Sequence, residues 1–310
     1  MKIAFLISGV GIFGSVREIV ENGNVFVDQG HECYIFNPEK ESIDWINFKG
    51  TVKLESKIND YDLDILILTT TPNFHYYNIW KMANAKMKVF CFMGFDPIFY
   101  STWDDKVLDI LENEYIISDG IWQNEWLKKN TSAKKVLDIA IGGVNLDMFQ
   151  PIKVKREFPV IGWSGDHRKR KGGSTLIEYF EKHNIPTVTY FNKGIKQDDM
   201  KLWFSGIDIF IDNHYSGGWC NPVAEAMACG VAVVCSDIGC NSMFAIDEVT
   251  ALKFAFNDKE KLHQQLNRLM YDKYLRDKIA ENGLNHIKNF DYKIVAVNVL
   301  NALINESKQL

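Results

Sequence analysis

The feature that most constrains the fold is an alternation of short apolar runs with helical segments. Residues 2–8 form an apolar run of strand length, residues 9–15 are rich in glycine, and residues 16–29 carry apolar residues at helical spacing. Strands that are apolar throughout and separated by helices are typical of a parallel sheet covered on both faces. The pattern therefore predicts an α/β fold.

The alternation occurs twice along the chain. In the first half, further strands are predicted at residues 33–36, 63–68, 89–93 and 115–117. A turn-rich, basic stretch at 150–156 separates them from a second series, with strands at 159–162, 187–191, 207–211 and 231–235 and helical stretches at 259–282 and 292–308. The chain of 310 residues suits two doubly wound domains. We predict domains over 1–150 and 151–290 and a terminal helix over 291–310.

Composition and charge exclude several classes of protein. Apolar residues make up 46% of the chain and charged residues 24%, with a net charge of −5, so no overall basic field would attract nucleic acid. The longest apolar runs fall far short of the roughly 18 residues that cross a bilayer. The apolar start runs into a glycine loop and is read as a strand, not a signal peptide. A cytoplasmic protein is expected.

The cysteines and histidines lack the spacing of a metal site. Four of the six cysteines lie within residues 220–240, but there is no C-x-x-C pair, and the histidines are scattered. Free thiols in a reducing compartment are expected, with no bound metal.

A glycine loop follows the first strand. Gly9 to Gly14 reads G-x-G-x-x-G, and its backbone amides, including those of Gly11 and Gly14, could hold a pyrophosphate at a helix N-terminus. A dinucleotide site also needs a carboxylate at the end of the second strand, where this chain has Asn37. An NAD-dependent oxidoreductase is therefore a disfavoured alternative.

A basic run follows the first strand of the second half. Residues 167–174 put four cations before a glycine-rich helix start, where cations and free amides can bind a diphosphate. The candidates are Gly162 in the strand and Arg168 and Lys171 in the run. A solvated charge run is the alternative interpretation.

A second candidate segment spans residues 207–230. A strand leads into a long loop with Gly217 and Gly218, and Glu225 is expected in the first turn of the next helix. A carboxylate there can accept two hydrogen bonds from a ribose diol, or it can simply favour the helix N-terminus.

These segments carry a family resemblance. Residues 208–239 resemble the nucleotide-sugar motif of retaining GT-B glycosyltransferases of the group 1 family, E-G-F-G-x-P-x-x-E-A-M-A-x-G followed by P-V-V-x-S-D-x-G. Residues 142–151 are similar to the interdomain N-G-V-D-x-x-x-F-x-P, residues 171–178 resemble K-G-x-x-x-L-I-E, and residues 290–292 are similar to the start of the last helix. Over residues 1–130 the resemblance consists of the glycine loop and strand order alone.

The resemblance implies a fold and an activity. The fold would be GT-B, with two Rossmann-like domains facing a cleft and the helix at 291–310 packing back on the first domain. The protein would be a retaining, hexosyltransferase-like enzyme that moves a sugar from a nucleoside diphosphate sugar to a hydroxyl of a glycan, polysaccharide or glycolipid. The family needs neither metal nor cofactor. A lipid-linked acceptor would bring the chain to a membrane surface.

The resemblance also implies roles for individual residues. Glu225 would hold the donor's ribose, and Lys171 and Arg168 would take up charge on the leaving diphosphate. The backbone beside the phosphates and sugar would be that of Gly218, Trp219, Cys220, Asn221, Pro222 and Val223.

Three residues depart from the family pattern. Gly217 replaces the first glutamate, which contacts the transferred sugar in the family, and Cys220 and Cys240 replace glycines. These changes imply a different sugar, a different way of holding it, or lost activity. A catalytically silent nucleotide-sugar-binding subunit that supports a partner transferase is therefore an alternative.

The acceptor side has weaker candidates. Asp96 lies where the family often has a catalytic histidine or aspartate, although a residue before proline can simply cap a turn. His75 is a rival candidate. Aromatic residues nearby could stack on sugar faces or form core: Tyr76, Tyr77, Phe92, Phe95, Phe99, Tyr100 and Trp103.

Overall fold

The computed structural model of the protein describes residues 1–69, 74–93, 105–152, 154 and 156–310. The chain divides into two units, one made of Met1–Gly143 with Tyr292–Leu310 and the other of Val144–Asp291. Each unit is built on its own parallel sheet with apolar clusters on both faces. The predicted α/β class, with two parallel-sheet domains, is confirmed.

In the described residues, the first sheet has seven strands. They are β1 (Lys2–Leu6), β2 (Glu32–Asn37), β3 (Thr51–Leu54), β4 (Leu63–Leu68), β5 (Ala85–Phe92), β6 (Tyr115–Ser118) and β7 (Val136–Ala140). Their order is β3-β2-β1-β4-β5-β6-β7, and every pair is parallel. The helices between them are α1 (Gly14–Asp28), α2 (Phe74–Met82), α3 (Asp105–Asn113) and α4 (Ile121–Asn130).

The second sheet has five strands in the part of the unit that is described. They are β8 (Ile161–Trp163), β9 (Thr187–Thr189), β10 (Ile209–Asp212), β11 (Ala232–Ser236) and β12 (Leu252–Phe254), in the parallel order β12-β11-β10-β8-β9. The helices are α5 (Gly173–His183), α6 (Met200–Ser205), α7 (Asn221–Ala228), α8 (Gly239–Ser242), α9 (Lys259–Tyr271) and α10 (Lys273–Ile287). The chain goes from β8 to β9 on one side and then to β10 on the other, so the strand order reverses between β8 and β10.

Alternate residues of the central strands face opposite cores. In β10, Phe210 packs into one cluster of the second unit, whereas Ile209 and Ile211 pack into the other. In β1, Ile3 and Phe5 likewise pack into one cluster of the first unit, whereas Ala4 and Leu6 pack into the other. Because side chains alternate across a strand, a strand that is apolar throughout must be covered on both faces.

The last helix, α11 (Tyr292–Ser307), belongs to the first unit and packs against α1. Its buried side chains share a core with residues of α1 and β1, and they are Ala296, Val299, Leu300 and Leu303. In the sequence, the second unit is thus an insertion between the two segments of the first unit. At its two ends, Val144 and Asp291 pair in a parallel bridge.

The structure differs from the prediction in one helix of the second half and in three strands at the edges of the sheets. The helical stretch predicted over residues 259–282 is two helices, because Asp272 ends α9 and its carboxylate caps α10 by accepting the amide of Leu275 at 2.9 Å. Strands β3, β7 and β12 have no predicted counterpart. All three are edge strands, which are partly exposed and so lack a continuous apolar run.

Within the described ranges, every helix is too short or too polar to cross a bilayer. The six cysteines are all free and buried. Burial raises the pKa of the Cys229 thiol to about 12 and raises the pKa of Cys91, Cys220 and Cys235 as well.

We expect the native protein to resist thiol reagents. A buried, protonated thiol reacts slowly because the thiolate is the nucleophile. At pH 8, a chromogenic aromatic disulfide should label almost no thiol in the native protein within minutes, and six per chain after unfolding in guanidinium. Rapid labelling of the native protein would contradict the packing described here.

Candidate functional site

Two loops meet where the strand order of the second sheet reverses. Lys171 ends a short 3₁₀ turn after β8, and His214 follows β10 by two residues. The Lys171 ammonium Nζ contacts Nε2 of the His214 ring. Ligands of open α/β sheets bind at the carboxyl ends of the strands beside such a reversal. The crevice between these loops is therefore the candidate site.

A buried carboxylate orients the His214 ring. The side chains of Asp212 and His214 are 3% and 4% exposed, and Oδ1 of Asp212 contacts Nδ1 of His214. The backbone amide of His214 also donates to Oδ2 of Asp212 at 3.3 Å. An ionised carboxylate only accepts hydrogen bonds, so Nδ1 carries the imidazole proton and Nε2 accepts one from Lys171.

Burial and neighbouring charges shift the pKa values of these three side chains. Burial lowers the pKa of Lys171, while the negative charge of Asp212 opposes that shift. Burial also lowers the pKa of His214, against the attraction of Asp212. For Asp212, burial alone would raise the pKa, but the adjacent His214 and Lys171 bring it below its ordinary value. A neutral imidazole thus lies between an ionised carboxylate and an ammonium.

Gly172 allows the two loops to touch. It has φ +62°, and a Cβ on it would overlap the backbone oxygen of Asn213. The Asn213 side-chain amide donates to the backbone oxygen of Gly172 at 3.3 Å and to Oδ1 of Asn257 at 3.3 Å. Both the backbone conformation and the close approach therefore require glycine.

Arg168 is held in place by a buried carboxylate. Asp166 is 3% exposed and accepts the backbone amide of Arg168 at 3.0 Å and its Nε at 2.9 Å. Burial would raise the pKa of Asp166, but these hydrogen bonds bring it below its ordinary value. The guanidinium carbon also lies 5.7 Å from the centre of the Phe191 ring. The loop after β8 thus carries two cations, Arg168 and Lys171, and other side chains hold both in position.

Helix α7 begins at Asn221 and not later, with Pro222 in its first turn. Glu225 is therefore its fifth residue, and the expectation that Glu225 lies in the first turn is wrong. The helix starts early because proline is favoured at the first helical positions, where its missing amide needs no partner. Glu225 is 5% exposed, and its position past the first turn weakens the interpretation as a charge that favours the helix N-terminus.

Several predicted donor-binding side chains lie in the core. Trp219 packs against Phe244 and Phe290, with ring centres 4.7 and 5.7 Å away, and is 7% exposed. Cys220 and Val223 are also buried in this cluster. From residues 219, 220 and 223, a ligand in the crevice would therefore meet mainly backbone. Gly218, Asn221 and Pro222 belong to the same loop and helix start.

The departures from the family motif cluster together. The Cys220 and Cys240 thiols hydrogen-bond to each other. A Cβ on Gly217 would lie 3.7 Å from the Cβ of Cys240, an ordinary contact distance. A side chain at position 217 would therefore point towards this thiol pair.

The structure places Gly162 inside β8. A Cβ there would lie 2.8 Å from Ile207 and 2.9 Å from Trp203, so packing is a sufficient reason for glycine.

The glycine loop of the first unit carries a carboxylate. Oε2 of Glu39 accepts the backbone amide of Val10 at 3.2 Å. The side chain of Asn37 closes the turn after β2, accepting the amide of Glu39 at 2.9 Å. Gly11 lies in this loop and Gly14 begins α1. An anion thus already contacts the loop at the place where a pyrophosphate would bind, which argues against a dinucleotide.

The acceptor-side candidates fall mostly outside the described residues. Asp96 lies outside them, as do Phe95, Phe99, Tyr100 and Trp103. His75 is in α2, but its side chain is outside the described part of the chain. Phe92, Tyr76 and Tyr77 pack in or against a core of the first unit.

One cluster in the described chain has the donor set of a metal site. Ligand atoms of Asp212, His214 and Cys220 lie within 4.8 Å of one another. Sequence spacing did not reveal it, because D-x-H-x₅-C matches no metal motif. Both ring nitrogens of His214 are engaged, however, by Asp212 and by the Lys171 ammonium. Neither ring nitrogen of His214 is thus left for a metal ion.

Most of the second unit matches a known family. Residues 149–286 match the family model described as glycosyl transferases group 1. This segment, slightly less than half of the chain, contains both loops of the candidate site. This part of the chain is thus similar to the group 1 glycosyltransferases.

Individual relatives are distant. Protein CapJ of Staphylococcus aureus is 25% identical over 183 residues, covering 58% of this chain and 41% of CapJ. Sucrose-phosphate synthase from Thermosynechococcus elongatus superposes with a TM-score of 0.82 at 15% identity, over 100% of both chains. Anabaena Alr3699/HepE in complex with UDP-glucose has a TM-score of 0.74 at 13% identity, over 98% of this chain and 100% of that one. These likenesses confirm the GT-B fold.

We expect Gly172→Ala to destabilise the protein more than Gly194→Ala. Gly194 has a similar φ of +70° but no atom within 4 Å of the added Cβ. Gly194→Ala should therefore lower the free energy of unfolding by about 1 kcal/mol, the backbone penalty alone. Gly172→Ala adds the overlap with Asn213 and should lower it by roughly 3 kcal/mol. Equal losses in guanidinium unfolding would contradict the close approach of the loops.

Proposed function

We propose that this protein is a retaining, hexosyltransferase-like enzyme. It moves a sugar from a nucleoside diphosphate sugar to a hydroxyl of a glycan, polysaccharide or glycolipid. The observation that carries the proposal is the partly buried Lys171 ammonium, in contact with His214 at the point where the strand order reverses between β8 and β10. A cytoplasmic site of action is part of the proposal, with peripheral membrane association where the acceptor is lipid-linked.

The donor would lie along the crevice of the second unit. HepE, which shares the fold, was solved with UDP-glucose, and this supports a nucleoside diphosphate hexose as donor. Lys171 and Arg168 would bind the diphosphate, and Glu225 would accept hydrogen bonds from the ribose diol. The amides at the start of α7 would face the phosphates, because the first turn of a helix leaves its amides without intrahelical partners.

Charge stabilisation would supply most of the rate. As the bond between sugar and diphosphate breaks, negative charge builds on the leaving phosphate, and two positioned cations stabilise it more than they stabilise the bound donor. The acceptor hydroxyl would attack from the face that the diphosphate leaves, and a phosphate oxygen would take its proton. Asp96 would orient that hydroxyl. The sugar keeps its anomeric configuration by this route.

The proposed chemistry uses no metal and no cofactor. Lys171 and Arg168 carry the charge that a divalent cation would otherwise neutralise. The engagement of both His214 nitrogens supports this assignment.

The second candidate function is a silent nucleotide-sugar-binding subunit. Gly217 favours it, because that position lacks the carboxylate that contacts the transferred sugar in the family. Release of free sugar or transfer to an acceptor by the purified chain would exclude it. Binding of a nucleoside diphosphate sugar without either reaction would favour it.

We expect nucleoside diphosphates to stabilise the folded protein. A ligand that binds only the folded state at 100 times its Kd should raise the melting temperature by about 5 °C. In a thermal-shift screen with UDP, GDP, ADP, CDP and dTDP, Lys171→Met and Glu225→Gln should weaken binding roughly tenfold or more. Lys169→Met removes an exposed cation from the same turn and should bind like the wild type. Equal loss in both lysine variants would contradict the assigned role of Lys171.

We also expect transfer or donor hydrolysis to be insensitive to chelators. Dialysis against EDTA should leave the rate unchanged, because the cations that stabilise the leaving group are side chains. A loss of rate that added Mn²⁺, Mg²⁺ or Zn²⁺ restores would contradict the metal-free proposal.

A further inference from the structure

Two buried polar side chains beside the proposed donor site have no part in the chemistry described so far. Asp212 ends β10, and His214 lies two residues further on. Both are almost fully enclosed, yet they are linked to one of the proposed diphosphate-binding cations. Burying an ionised carboxylate is unfavourable unless it is paired, so the pair needs an explanation.

We propose that Asp212 and His214 form a positioning dyad that holds the Lys171 ammonium at the carboxyl ends of β8 and β10, ready for the donor's diphosphate. The proposal rests on the proposed function and adds two residues that act through Lys171.

The hydrogen-bond order supports this role. Asp212 fixes the proton on Nδ1 of His214, which leaves Nε2 as an acceptor facing the ammonium. An ammonium has three N–H donors, so one goes to His214 and two remain for phosphate oxygens. Holding a long, flexible side chain in its bound position before the ligand arrives strengthens binding, because less freedom is lost on association.

The charge balance points the same way. The groups that face Lys171 are Asp212, His214, Arg170 and the thiols of Cys220 and Cys240. Burial raises the pKa of both thiols, so they are neutral. The Lys171 ammonium is therefore balanced by Asp212 through the imidazole, and nearby Arg170 adds further positive charge that a diphosphate can meet.

The dyad makes the position of Lys171 depend on pH. The groups that face His214 are Asp212, Lys171 and Arg170. Protonation of Nε2 would turn the acceptor into a donor that repels the ammonium. Burial lowers the pKa of His214 below its ordinary value of 6.5. Lys171 is thus held above pH 6.5, and it is released as the pH falls through the lower pKa of the folded protein.

The contact can be tested without any ligand. In ¹⁵N-histidine-labelled protein at pH 7.5, the long-range ¹H–¹⁵N spectrum should show His214 with its proton on Nδ1, its signals being those that His214→Gln removes. Lys171→Met should shift the Nε2 resonance, whereas Lys169→Met should not. Asp212→Asn should move the proton to Nε2, because an amide can donate to Nδ1. A proton on Nε2 in the wild type, or no effect of Lys171→Met, overturns the proposal.

The role can be tested with inorganic pyrophosphate and UDP, measured by calorimetry between pH 5.5 and 8. At pH 7.5, His214→Leu and Asp212→Asn should weaken binding by roughly tenfold to a hundredfold. His214→Gln keeps an acceptor near the Nε2 position without a titrating group, and should bind within about threefold of the wild type. The ratio of wild-type to Gln-variant affinity should fall as the pH drops through the pKa of His214 in the folded protein, which lies below 6.5. The titration of the phosphates is common to both proteins and cancels in the ratio. Circular dichroism checks that each variant is folded.

The outcomes separate the two proposals. No binding of either probe by the wild type at any pH, with the Lys171 effect on Nε2 intact, overturns the proposed function and the dyad's role towards a diphosphate. Binding that is the same in the wild type, His214→Leu and Asp212→Asn overturns the dyad and leaves the proposed function standing.

Discussion

The contact between the Lys171 ammonium and the His214 ring is the interaction on which the candidate site depends. It joins the loop after β8 to the loop after β10, at the carboxyl ends of the two neighbouring strands between which the strand order of the second sheet reverses. Gly172 reinforces it by letting the backbones approach. The partly buried cation is stable there because Asp212 supplies the opposite charge through an oriented imidazole. Loop geometry, charge and burial are thus set together.

The sequence predicted the parts of the fold that local patterns specify. Apolar runs located the central strands, and the motif at Lys171 and Gly172 located the cationic loop. The partners of Lys171 could not be found in this way. His214 is 43 residues away in sequence, and its spacing of two residues from Asp212 matches no known motif. Only the parallel pairing of β8 with β10 brings them together.

Other differences have equally local causes. The glycine loop matched a dinucleotide pattern, yet the carboxylate that contacts it comes from Glu39, two residues beyond the position that the pattern inspects. Asp272 divided one predicted helix, because an aspartate can cap a helix as readily as it can lie within one. Asp96 stays a prediction from the sequence, since it lies outside the described residues.

The return of α11 to the first unit has a consequence for how the chain is made. During synthesis, β1 to β7 emerge well before the helix that completes their core, and all of Val144–Asp291 is translated in between. Until α11 arrives, the side of α1 that it covers stays open, and exposed apolar surface on an unfinished domain invites aggregation. Because the second unit is translated before α11, it can fold before the core of the first unit is complete.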